Sequence, residues 1–172
     1  MGWLWNSVHD FFDIKDGTFP EICINGLNTS EVISGYNLIR KSASSLIGRP
    51  TLQTIETKSL HGIDELGNAA DLVCKRKVYP FHFMVSDLNI KKFGLYELGI
   101  FIFENGIALD IERGPLWGER EMMCLFMLII KIKGSSSSAF IRLEEHFNKE
   151  YQIKFEEVIL RLLSPNPEIW PQ

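Results

Sequence analysis

The chain has 172 residues, a formal charge of −4, 45% hydrophobic and 23% charged residues. A domain of roughly 150 residues buries about 68–70% of its unfolded surface, so a proper core without staples is within reach and disorder is not the class. The acidic balance argues against general binding of nucleic acid or an anionic membrane, since basic residues cluster only at Lys75-Arg76-Lys77 and Lys91-Lys92.

Residues 3–13, WLWNSVHDFFD, place Leu4, Val8 and Phe11 at helical spacing with Trp5 and Phe12 beside them, which predicts a short amphipathic helix docked by its aromatics. A membrane-surface or partner-binding anchor is the competing reading, its membrane version disfavoured by Asp10, Asp13 and Asp16. Gly17 and Pro20 break the chain, and residues 20–24 read as a short strand turning at Asn25-Gly26. Asn28 with Glu31 three residues on resembles a capping box. Val32, Tyr36, Ile39, Ala43 and Leu46 then form one apolar stripe, predicting a surface helix stopped by Gly48 and Pro50.

Residues 51–57, TLQTIET, suit a strand, and 61–68, HGIDELGN, a loop. Residues 69–78 fit either a helical turn capped by Asn68 or a strand over 73–78. Residues 79–85 set Tyr79, Phe81, Phe83 and Val85 against Pro80, His82 and Met84, the alternation of a strand, with Pro80 at an edge or at the strand's own beginning.

The stretch from Gly94 to Gly134 organises the rest. Asn105-Gly106 is the strongest hairpin signal, because both central residues of a type I′ turn need φ > 0. With that loop, Phe103 opposes Ala108, Ile102 opposes Leu109, Phe101 opposes Asp110 and Ile100 opposes Ile111. One face carries Leu98, Ile100, Ile102, Ile107, Leu109 and Ile111 and belongs in the core. The other carries Glu97, Phe101, Phe103, Ala108, Asp110 and Glu112, aromatic and acidic together.

Residues 119–133 read as a largely buried helix that frays near residue 130, with a central strand as the alternative. Glu119 and Glu121 suit a helix N-terminus, whereas the later IIKIK alternates like a strand. Gly134 and four serines form a link; Phe140, Leu143 and Phe147 mark another helix; residues 149–154 read as a turn and 155–163 as a final amphipathic helix. Residues 164–172 are an extended tail that Trp170 pins to the body. The fold class expected is α+β: a single domain over 1–172, with a small, mostly antiparallel sheet centred on the 98–112 hairpin, helices on one face and a C-terminal helical segment over 137–163.

Chemistry-bearing patterns are sparse. The three cysteines, Cys23, Cys74 and Cys124, are far apart and never in C-x-x-C spacing, which points to a reducing, cytoplasmic setting. The N-terminus lacks a basic n-region, and Asn6 stands where a myristoylation motif wants Ser or Thr. The nine-residue apolar run from Met122 is about half of the ~18 a membrane span needs.

His9, His61, His82 and His146 are scattered; only His61 with Asp64 and Glu65 is a compact potential ligand group, and no metal or cofactor is expected. No G-x-S-x-G, Walker or dinucleotide fingerprint is present. Glu56-Thr57-Lys58 has the E-x-K form of metal-dependent nucleases, but no Asp lies on a preceding strand.

The acidic-aromatic face is the best candidate. Its carboxylates would attract a basic partner, while Phe101, Phe103 and, if it points outward, Trp117 would add buried area. Glu97, Phe101, Phe103, Asp110, Glu112 and Trp117 are therefore the expected partner-binding residues. The expected function is non-enzymatic binding, an immunity-type inhibitor that neutralises a basic, toxin-like protein one to one, with homodimerisation also open. The alternatives are a metal-dependent hydrolase or nuclease using Glu56 and Lys58, or a structural subunit of a larger assembly.

Overall fold

In the computed structural model, which describes residues 2–14, 19–144 and 149–164, the chain runs α1 (Trp3–Phe12), β1 (Glu21–Asn25), α2 (Thr29–Ser42), β2 (Ser45–Ile47), β3 (Thr51–Gln53), β4 (Leu60–Gly62), α3 (Ala69–Cys74), β5 (Phe81–Ile90), β6 (Phe93–Phe103), β7 (Gly106–Asp110), α4 (Glu119–Lys133), β8 (Phe140–Leu143) and α5 (Lys149–Leu163). Six strands form an antiparallel sheet in the order β2-β5-β6-β7-β1-β8, and β3 pairs with β4 apart from it. The α+β class holds, with helices packed against a mostly antiparallel sheet.

Local signals account for the helix starts. Asn28 Oδ1 accepts from Glu31 N at 3.0 Å, and Glu31 Oε2 accepts from Asn28 N at 2.8 Å, a complete capping box on α2. Asn68 Oδ1 accepts from Asp71 N at 3.1 Å, which resolves the ambiguous segment after it as a helix. On α4, Glu121 Oε2 accepts from Gly118 N at 3.0 Å, while Glu119 Oε2 reaches the start of α1 and accepts from Gly2 N at 2.9 Å.

Met122 to Ile129 are all buried, because α4 lies between the sheet and the two outer helices α1 and α5. A helix enclosed on every side is apolar all round and loses its periodic signature. It also runs intact to Lys133 rather than fraying at residue 130, and Gly134 N bonds Ile130 O at 2.8 Å. Beside it, Gly35 lets α2 close on the layer below: a Cβ there would stand 2.7 Å from Ile107 Cδ1 and 3.1 Å from Ile132 Cγ2. On the outer side, Phe155 packs its ring 4.8 Å from Phe11 and 5.1 Å from Phe126.

The central hairpin is β6–β7 with the expected faces and a different register. Leu98, Ile100, Ile102, Ile107, Leu109 and Ile111 are all buried. The pairs are Phe103↔Gly106, Ile102↔Ile107, Phe101↔Ala108, Ile100↔Leu109 and Gly99↔Asp110, so the two-residue loop is Glu104-Asn105. Neither loop residue has positive φ, so the type I′ turn expected at Asn105-Gly106 is absent. Gly106 instead serves the neighbouring strand. A Cβ there would stand 2.8 Å from Ile24 O, and β1 pairs Asn25 with Gly106 directly. The correction moves the register by an even step, which leaves every side chain on its expected face.

One hairpin has no counterpart among the sequence expectations, and three further expectations are corrected. The longest pairing is β5–β6, joined at Lys91-Lys92 with Lys91 at φ 56°, a hairpin without a glycine signal. The apolar stripe runs on to Leu46, but α2 stops at Ser42; Ser44 N bonds Ser86 O at 3.1 Å and residues 45–47 become an edge strand. Residues 140–143, expected as helix, are β8, because Ile141 and Leu143 alternate inward against β1 while Phe140 and Arg142 face out. The expected turn at 149–154 is the first half of α5. Two shorter segments also differ: the strand expected over 51–57 stops at Gln53, and His61 lies on β4 rather than in a loop. Gly17, His146, Phe147 and the tail from residue 165, Trp170 included, lie outside the described residues. No described helix is long and apolar enough to cross a membrane.

Candidate functional site on the open sheet face

Alternation decides what the sheet leaves uncovered. β1, β5 and β8 bury every second residue under the helices, and the intervening residues form the other face. The register sets these in rows across the strands. Ile47, Met84, Gly99, Asp110 and Glu21 make one row; His82, Phe101, Ala108, Cys23 and Arg142 the next; Phe103, Gly106, Asn25 and Phe140 the third. The third row is aromatic and open, with Phe103 at 36% and Phe140 at 54% exposure. Phe101 stacks its ring 5.9 Å from Phe103 and 4.4 Å from His82.

The first row is electrostatic. Its centre is Gly99, across which His82 Nε2 comes within 3.2 Å of Asp110 Oδ2, without the alignment of a hydrogen bond. A Cβ on residue 99 would stand 2.6 Å from Asp110 Cβ and 2.9 Å from His82 Nε2, so the glycine makes room for the pair. Asp110 in turn pairs with Glu21, and Glu144 N bonds Glu21 O at 3.1 Å.

Three carboxylates are thus crowded together, and their proton affinities record it. Burial, then Asp110 and Glu144, raise the Glu21 carboxyl above its ordinary range. Asp110 is raised by burial, against the pull of His82 and with a further push from Glu144. The Cys23 thiol beside them is pushed up to about 11, first by burial and then by Glu21 and Glu144, which keeps it protonated and a poor nucleophile.

The expected partner-binding residues divide between two places. Phe101, Phe103 and Asp110 lie on this open face. Glu97 and Glu112 lie at its far end, where the face runs into a groove of about 580 Å³ between β6 and the loop over 112–118. Trp117 does not point outward: it is 8% exposed, its ring lies 4.5 Å from Phe12, and its Nε1 donates to Glu112 O at 2.6 Å. It supports the groove rather than extending the aromatic surface. Sequence reasoning missed Glu21, His82, Phe140, Arg142 and Glu144. For His82 the alternation of residues 79–85 carried the face; nothing local indicated that β5 flanks β6, or that residues 140–143 form a strand at all.

The remaining sequence candidates lie elsewhere. Glu56 sits in the turn after β3, and Lys58, at φ 58°, bonds Tyr79 Oη, so the E-x-K tripeptide does not lie on a strand. Asp64 pairs with Arg40 at 3.0 Å, and His61 Nδ1 lies 3.7 Å from Glu65 Oε2. Among the described residues no group of three or more His, Cys, Asp and Glu side chains is placed to hold a metal ion. Comparison with protein-family models, with curated proteins and with solved structures finds no match, so the functional reading rests on the geometry of this face.

Proposed function

We propose that the protein acts by binding a basic protein partner, one to one, on the open face of its sheet, in the manner of an inhibitor that neutralises a basic toxin-like protein. The observation that supports this is the composition of that face: Phe101, Phe103 and Phe140 share it with Glu21, Glu97, Asp110 and Glu144, and the basic residues on the rows are Arg142 and His82. Clustered carboxylates that raise one another's proton affinity are a cost to the free protein, and a cationic partner relieves it. The aromatic row supplies the apolar area that charges alone do not, since hot spots are typically aromatic and near the centre of an interface. Six strands at about 4.8 Å spacing span roughly 29 Å. A standard interface of ~800 Å² per partner is a patch of about that diameter.

The test compares wild type with the Glu21→Lys, Asp110→Lys double variant. Protein retained on each immobilised form is identified, purified and titrated by calorimetry at low and high salt. The expected result is a basic partner bound one to one, weakened by salt, with affinity reduced tenfold or more by charge reversal, about 1.4 kcal/mol. Phe101→Ala is expected to weaken binding at both salt concentrations. Unchanged affinity in the charge-reversed variant would refute the reading.

A further inference from the structure

Two of the most exposed apolar side chains, Leu116 at 78% and Tyr96 at 66%, stand on the walls of the groove at the acidic end of the face, one from the 112–118 loop and the other from β6. We propose that this groove is the anchor site for a basic segment of the partner, with an arginine side chain received between Glu97 and Glu112 and an apolar neighbour laid against Tyr96, Pro115 and Leu116. The inference rests on the reading of the sheet face as a docking surface for a basic protein, and it names where that partner's key side chain goes.

Three features carry it. The first is size: about 580 Å³ falls in the range of roughly 300–1,000 Å³ typical of ligand pockets, which accommodates two adjoining side chains. The second is charge. Glu97 on β6 and Glu112 in the loop after β7 both line the groove. Among the described residues neither carboxylate has an ion pair or hydrogen bond, whereas Glu121 in the same groove is engaged with Gly118 N at 3.0 Å. The groove's cation, Arg113, is only 8% exposed and turns inward, its guanidinium 5.6 Å from the Phe11 ring centroid. What the groove offers at its mouth is therefore negative.

The third feature is rigidity. Trp117 is fixed by Phe12 and by its bond to Glu112 O, Trp117 N bonds Gly114 O at 3.3 Å, and Gly114 N bonds Phe12 O at 2.9 Å. A wall held in place before binding loses little entropy when the ligand arrives. Arginine fits better than lysine, because a planar guanidinium donates to two carboxylates at once and stacks on an aromatic ring.

The probe is the blocked dipeptide acetyl-Leu-Arg-amide, titrated into isotope-labelled full-length protein by NMR, with acetyl-Leu-citrulline-amide as the uncharged isostere. The expected result is saturable shifts confined to amides of 95–97, 112–114, 116 and 117 and to the Trp117 indole. Binding is expected to be roughly tenfold weaker in the Glu97→Gln, Glu112→Gln variant and lost with citrulline. Both glutamates are exposed, so the variant keeps its fold, which a thermal melt checks.

Equal binding of the citrulline peptide, shifts centred on Phe101 and Phe103, or no saturation up to tens of millimolar each overturn the proposal. So does a homodimer of the free protein that Leu116→Glu dissociates, since the groove would then belong to a second copy. If the dipeptide fails while the whole partner stays sensitive to Glu21→Lys and Asp110→Lys, the groove is refuted and the face stands. If the dipeptide binds while the partner ignores those changes, the groove stands and the face is refuted.

Discussion

Gly99→Ala tests the centre of the open face, because the electrostatic row depends on the absence of one methyl group. The added Cβ would be 2.6 Å from Asp110 Cβ, 2.9 Å from His82 Nε2 and 3.1 Å from Asp110 Oδ2. Side chains directly opposite in an antiparallel pair ordinarily keep their Cβ atoms about 4.5–5.5 Å apart. The imidazole can swing away cheaply; Asp110 Cβ, fixed to the β7 backbone, cannot, so the strands themselves have to move.

Overpacking of this kind costs about 1–3 kcal/mol. Replacing a strand glycine returns up to about 1 kcal/mol by narrowing the unfolded ensemble and suiting the strand better. The net loss is about 1–2 kcal/mol, which at about 2–4 °C per kcal/mol for a chain of this size lowers the melting temperature by roughly 2–8 °C. Displacing His82 also removes the influence that pulls the Asp110 carboxyl down, so its pKa moves further up, followed by carboxyl-carbon NMR.

Gly94→Ala is the control on the same strand, since its nearest contact is the flexible tip of Asn89 at 3.0 Å; it should be near neutral. A Gly99→Ala protein that melts with wild type and titrates Asp110 unchanged would refute the argument.

Two further outcomes follow from the same sheet. Glu21 has its carboxyl raised in the folded state, so between its ordinary 4.5 and the raised value the native protein holds more protons than the unfolded chain, and stability falls as pH rises. Glu21→Gln should therefore melt higher than wild type at neutral pH by calorimetry, the advantage fading as pH falls to 4.5; a lower melting temperature at pH 7 would contradict this. At the β8 edge, the Gln152 amide acts as a strand substitute, accepting from Leu143 N at 2.8 Å and donating to Ile141 O at 3.0 Å. Gln152→Ala should cost roughly 1–2 kcal/mol for the two lost hydrogen bonds to β8 and leave a bare edge that self-associates, seen as rising light scattering. A monodisperse variant of wild-type stability would show that the edge needs no cover.

The legible parts of the fold were those whose cause lies within a few residues. The capping box at Asn28 needs only the backbone it terminates, and the two faces of β6–β7 need only alternation. The same holds for α1, whose buried Leu4, Val8, Phe11 and Phe12 follow the helical stripe. Where the cause was a neighbour, the sequence misled. Gly106 looked like turn chemistry because nothing local says that β1 will lie against it at 2.8 Å. The 140–147 segment showed helical spacing through Phe140, Leu143 and Phe147; over its described part, the outer edge beside β1 takes residues 140–143 as a strand.

The candidate site divides along the same line. Phe101, Phe103, Asp110, Glu97 and Glu112 share a face by the two-residue period of the strand, which any reading of the residues recovers. That Asp110 meets His82 across Gly99, that Glu21 and Glu144 join it from β1 and the end of β8, and that Trp117 turns inward onto Phe12 are decided by strand order and packing. By itself the sequence determined which side each hairpin residue faces, because that parity is a property of the extended backbone. Only the tertiary structure decided which charges become neighbours, because antiparallel pairing joins residues up to about 120 positions apart, as in β1 with β8, and no local period encodes that choice.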